Sequence, residues 1–161
     1  MITVQLNRAD FEYDIHSLVK AFFPAEDVLV GVGEQPAEEE ISFHIVTNYR
    51  EDSIAIMVMP EDESSERVSH TVRVDFSDRK ETKNRLKQAY YQLLRTYTKK
   101  DLPWGTLTGI RPVKIPVAFL EEGKSENEIR DFMKQTYFVS EEKIGLSIEV
   151  AKRERALLEK L

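Results

Sequence analysis

With 161 residues, 41% of them hydrophobic and 32% charged, the chain suits one globular domain, or one with a smaller helical appendage. It has no cysteine, which excludes disulfides, thiolate nucleophiles, cysteine-type zinc sites and cysteine-ligated iron–sulfur clusters. The first residues, MITVQLNRADFEYD, lack the basic-then-apolar order of a signal peptide, and no apolar run approaches the roughly 18–20 residues of a membrane span. The expectation is a cytoplasmic protein.

Ile2, Val4 and Leu6 alternate with Thr3 and Gln5, which predicts a strand with one buried face. A helix is predicted over about 8–23, where Phe11, Ile15, Leu18, Val19 and Phe22 recur at helical spacing before Pro24 stops it. DVLVGVG, 27–33, reads as a short apolar strand, followed by the acidic loop Glu34–Glu40. Ile41, Phe43 and Ile45 alternate with polar positions, and Asn48–Asp52 reads as a turn. Ser53–Met59 reads as the next strand, closed by Pro60 and the acidic loop EDESSE. Val68, His70, Val72, Val74 and Phe76 share one face of a longer strand. Short polar turns between these last three strands predict an antiparallel meander.

A long helix is predicted from about Asp78 to Lys99, capped by Ser77 or Asp78, with Leu86, Ala89, Tyr90, Leu93, Leu94 and Tyr97 as its apolar stripe. The order implies an α+β body over 1–99, a mostly antiparallel sheet with helices packed on one face. A Trp/Gly/Pro loop and C-terminal helices follow over 100–161. Three helical segments are expected there. Pro112 suits the first turn of one, which Gly123 ends. Ser125 with Glu128 forms a capping box, and Ser140 opens the last helix with Val139 and Ile144 as a hydrophobic staple.

Charge divides unevenly: net −6 overall, with 5 basic against 16 acidic residues over 1–77 and 18 against 13 over 78–161. Within 79–114 ten basic residues face only Glu81 and Asp101. The segment suits an anion, a nucleic acid or an acidic partner, or it forms a basic helix lying beside an acidic sheet of its own body. His70 reads as a sheet histidine, His44 as solvated on the polar face, and His16 lacks a partner at metal-binding spacing. The acidic runs lack calcium-loop spacing, and Ser64 and Ser65 have no positioned base. No catalytic or metal-binding set is predicted.

The stretch 102–114, LPWGTLTGIRPVK, holds the most information. Trp104 is the only tryptophan, Gly105 and Gly109 permit unusual backbone geometry, and Thr106 and Thr108 add hydroxyls. Arg111 and Lys114 stand where a helix begins, so they serve either as a structural clamp or as contacts for a carboxylate or phosphate. As a clamp, the loop would be a fixed joint with Trp104 largely buried and Arg111 bonded across to the α+β body.

Trp104–Lys114 resembles the WG-x-LTGIRP-x-K element of HemZ-type oxygen-independent coproporphyrinogen dehydrogenases, and Tyr137–Lys143 with Val150–Glu154 resembles that family's following stretch. The resemblance implies a radical S-adenosylmethionine parent of haem biosynthesis. The parent's barrel binds a 4Fe–4S cluster through C-x₃-C-x₂-C and oxidatively decarboxylates two propionates of coproporphyrinogen III to vinyl groups. It implies no cofactor ligand in this chain, and leaves the chain as a non-catalytic N-terminal accessory domain. Its implied partner is the barrel of the same polypeptide, with the basic 79–114 segment a contact for substrate propionates. The competing reading is a nucleic-acid- or partner-binding module built on that segment. A sequence pI of 5.2 and the lack of any RNP, KH or zinc-finger signature oppose it.

Overall fold

The computed structural model describes residues 1–33, 41, 43–60, 67–108 and 111–160. The acidic loops at 34–40 and 61–66, with Ser64 and Ser65, lie outside the described residues, as do Gly109 and Ile110. The chain divides into two compact units, Met1–Lys100 and Asp101–Leu161.

The first unit is α+β. Five strands, β1 (Ile2–Leu6), β2 (Val28–Val32), β3 (Phe43–Tyr49), β4 (Ser53–Pro60) and β5 (Val68–Arg73), form one mixed sheet in the order β2-β1-β3-β4-β5. The two longer ladders, β3–β4 and β4–β5, are antiparallel and make up the expected meander. β1 lies parallel to both β2 and β3, with Val4 opposite Val30 on one side and Ile45 on the other.

Period-2 alternation puts Ile2, Val4, Leu6, Phe43, Ile45, Ile54, Ile56 and Val58 on one face, where all are buried. Helices α1 (Glu12–Phe22) and α2 (Arg79–Thr98) supply the complementary stripes: Ile15, Leu18, Val19 and Phe22 from α1, Leu86, Ala89, Tyr90, Tyr91, Leu93 and Leu94 from α2. Phe22 and Tyr91 pair the two helices at 5.3 Å, and Phe43 and Tyr97 join the sheet to α2 at 5.2 Å. Thr47 and Tyr90, both fully buried, satisfy each other with a short hydroxyl–hydroxyl bond.

Two boundaries differ from the sequence expectation, and a third is decided between its two alternatives. α1 begins at Glu12 and not at 8, because Phe11 adopts a left-handed conformation (φ 59°) as its N-cap. Asp10 accepts from Arg8 at 2.9 Å, and its carbonyl accepts from the Tyr49 hydroxyl at 2.7 Å, so 8–10 form a tied loop. β5 ends at Arg73; the Val74 N–H still bonds in register to the Asp52 carbonyl, and the Asp75 carboxylate, accepting from the Ser77 N–H, then turns the chain away. Asp78, and not Ser77, caps α2, accepting from the Glu81 N–H at 3.1 Å.

The second unit holds three helices, α3 (Lys114–Glu121), α4 (Glu126–Tyr137) and α5 (Glu141–Glu159). Pro112 lies in the turn before α3 and not in its first turn, and Gly123 (φ 79°) follows its end. Ser125 and Ser140 cap the next two helices as expected, accepting from the N–H groups of Glu128 and Lys143. Leu107, Ile129, Met133, Val139, Ile144 and Ile148 form the core, with both staple residues among them.

Candidate functional site

The 102–108 loop is fastened to the turn between α4 and α5. Gly105 takes φ +59°, and a Cβ there would fall on the Tyr137 carbonyl oxygen and within 2.6 Å of the Phe138 carbonyl. Only glycine allows the two backbones to meet this closely. The next residue exploits the approach: the Thr106 N–H donates to the Tyr137 oxygen at 2.7 Å, and its hydroxyl donates to the same oxygen at 3.3 Å. In return the Ser140 N–H donates to the Pro103 carbonyl at 2.9 Å. Phe138 answers in kind, holding φ 57° as the C-cap of α4. Thr106 is buried by this clasp, and Leu107 enters the helical core.

Trp104 is half-buried and not largely buried. Its indole packs on the rim of the helical core, and Lys143 Nζ lies 5.7 Å from the ring centroid, within range of a cation–π attraction. Arg111 is exposed, and its guanidinium stands 3.7 Å from Glu154 Oε2 on α5, a loose pair within the helical unit. Lys114 opens α3 with an exposed side chain. Thr108 is half-buried, and Gly109 lies outside the described residues. The structure thus brings Trp104, Gly105 and Thr106 together on the α4–α5 turn and leaves Arg111 and Lys114 on the surface.

The basic segment is largely matched within its own unit. Arg79 pairs with Asp10 at 3.2 Å, Lys83 with Asp14 at 3.4 Å and Arg85 with Glu81 at 3.0 Å, while Lys100 donates to the Phe22 carbonyl. The acids come from α1, the loop before it and α2 itself, not from the sheet. Of the four rings interleaved with these cations, Tyr90 and Tyr91 are core residues, while Tyr97 and Trp104 are half-buried.

His44 lies on the polar face as expected but is only partly solvated: it is half-buried, with Nδ1 2.6 Å from the Thr3 hydroxyl and Nε2 3.2 Å from Gln5 Oε1. Burial pushes its pKa below the ordinary value of 6.5, against an opposing backbone bond from Thr3. His70 lies on the helix-facing side of β5, as its alternation predicted, opposite Ile56. Among the described residues no three His, Asp or Glu side chains gather as a metal site, and no helix is long and apolar enough to cross a membrane.

These observations define a small α+β unit and a three-helix unit whose most constrained feature is a glycine-dependent backbone clasp. Part of the chain is similar to the oxygen-independent coproporphyrinogen-III oxidase-like protein HemZ of Bacillus subtilis (strain 168), with 36% identity over 77 residues, 48% of this chain. The matched segment spans 15% of that protein's length. No family model matches the chain. A solved structure, protein VC0702 from Vibrio cholerae, overlaps 63% of the chain and 69% of its own at 9% identity and a TM-score of 0.28, too low to support any argument.

Proposed function

We propose that this chain is an accessory domain of a HemZ-like protein and that it performs no redox chemistry itself. The observation that carries the reading is the 36% identity over 77 residues to HemZ, and the Trp104–Lys114 resemblance supports it. The reaction implied for the parent is oxidative decarboxylation of coproporphyrinogen III propionates, started from an iron–sulfur cluster held by cysteine thiolates. The residues present do not fit that group, since the chain contains no cysteine. The chemistry would belong to the barrel of the same polypeptide, and this chain would pack on that barrel. Arg111 and Lys114, exposed at the start of α3, are the residues of the 79–114 segment best suited to substrate propionates.

A chimera tests this. The segment of Bacillus subtilis HemZ that matches this chain is replaced by the 77 residues of this chain that align with it, and a second version simply lacks the segment. After anaerobic reconstitution, the chimera is expected to load its cluster and cleave S-adenosylmethionine like the parent. Loading and cleavage no better than in the deletion would overturn the reading.

A further inference from the structure

Helices α1 and α2 pack on one face of the sheet. On the other face, over the β3–β5 meander, lies a groove of about 280 Å³, and every residue that lines it is among those described. The ladder register builds it, because the side chains between the core positions all point to this face. Val46 stands opposite Met57, with Met59 two residues further along β4, so one end of the groove is apolar. The next row across the strands is Asn48, Ala55 and Thr71. Ala55, the smallest of the three, leaves a trough between an amide and a hydroxyl. Arg50 closes the other end, where its N–H still bonds the Ser53 carbonyl at 2.9 Å.

The polar end is unsatisfied. Among the described residues, the Arg50 guanidinium, the Asn48 amide and the Thr71 hydroxyl make no hydrogen bond or ion pair, and no carboxylate lines the groove. Glu51 and Asp52 occupy the hairpin turn beyond Arg50 and do not line it. The groove therefore runs from two thioethers to one unmatched cation, and Met59 to Ala55 alone covers about 13 Å of it.

Size and chemistry together select the occupant. The volume suits a small molecule and falls well short of what an α-helix, about 10–12 Å across, would fill. No aromatic ring lines the groove for a base to stack on. A guanidinium beside an amide favours a planar carboxylate, which can take two parallel bonds from the arginine fork. Met57 and Met59, flexible and polarizable, adapt to an aliphatic chain. We propose that this groove binds a medium-chain aliphatic carboxylate, its head on Arg50 and Asn48 and its tail along Ala55, Met57 and Met59. This ligand site stands independently of the HemZ reading.

The test uses the whole chain with octanoate, octanol and acetate, followed by titration calorimetry and backbone NMR. Octanoate is expected to bind with shifts centred on 46–50, 55–59 and 69–71. Octanol lacks the charged head and acetate lacks the tail, and each should bind at least about tenfold more weakly. Arg50→Gln should weaken octanoate by at least about tenfold and leave octanol unchanged. Asn48→Asp, which sets an acid beside Arg50 at another exposed position, should produce the same split between the two ligands. Equal binding of octanoate and octanol, or undiminished octanoate binding by either variant, would overturn the proposal. So would shifts centred outside the β3–β5 meander, or no octanoate binding up to about 1 mM.

Discussion

The α-carbon of Gly105 rests against the carbonyl of Tyr137, so closely that an added methyl carbon would lie only 1.9 Å from the oxygen. Gly105→Ala must therefore both strain a left-handed backbone and push two chains apart. The expected cost is about 3 kcal/mol or more, from left-handed strain plus overpacking. Gly123 is the control. It has φ +79° with nothing within 4 Å of its absent Cβ, so Gly123→Ala should cost only about 1 kcal/mol. Denaturant melts of the two variants check this, and equal costs would remove the clasp.

Trp104→Ala should lower stability by about 2 kcal/mol, less than the roughly 3–5 kcal/mol of a fully buried indole, because one side of the ring is wet. Lys143→Met, which keeps the stem and removes the charge, isolates the cation–π share at about 0.5–1 kcal/mol. Fluorescence of the sole tryptophan should report intermediate exposure.

Tyr90→Phe deletes one member of a buried hydroxyl pair and leaves Thr47 without its partner. The loss should be about 1–3 kcal/mol. The double change Tyr90→Phe with Thr47→Val should recover part of it, since no polar group is then stranded. A double change costing more than the sum of the single ones would contradict the pairing.

His44 makes the α+β unit sensitive to mild acid. Its folded pKa lies below 6.5, so the folded state resists a proton that the unfolded chain accepts. Stability from this residue is complete above about pH 6.5 and falls as pH drops through that value towards the lower folded pKa, where the loss levels off. His44→Gln should flatten the stability profile between about pH 7 and 5. Urea midpoints across that window measure it.

Much of the fold was legible because alternation and helical stripes report burial directly. Ser125 and Ser140 announced their helices through a hydroxyl placed three residues before an N–H it accepts from. Other features depended on contacts far along the chain. Alternation at Ile2–Leu6 marks a strand with a buried face but says nothing of its neighbours, so the parallel pairing to both β2 and β3 was invisible. The sequence expectation starts the first helix near residue 8, yet the pairing of Asp10 with Arg8 and Tyr49 holds 8–10 as a loop and moves the helix start beyond Phe11. The glycine and tryptophan of the 102–108 loop marked it as constrained. What constrains them, the Tyr137 carbonyl, lies some thirty residues later, and no local pattern names it.

The position of β1 also sets an order of assembly. The first of the five strands in sequence lies inside the sheet, holding β2 on one side and the β3–β5 meander on the other. The meander closes through short turns and can form early, whereas the β1–β3 ladder joins residues about forty positions apart and bears the entropy of a long loop. β1 must therefore wait, unpaired on that flank, until Phe43–Tyr49 has left the ribosome. A chain stripped of its first six residues would keep a hairpin meander and a stray edge strand with nothing to join them.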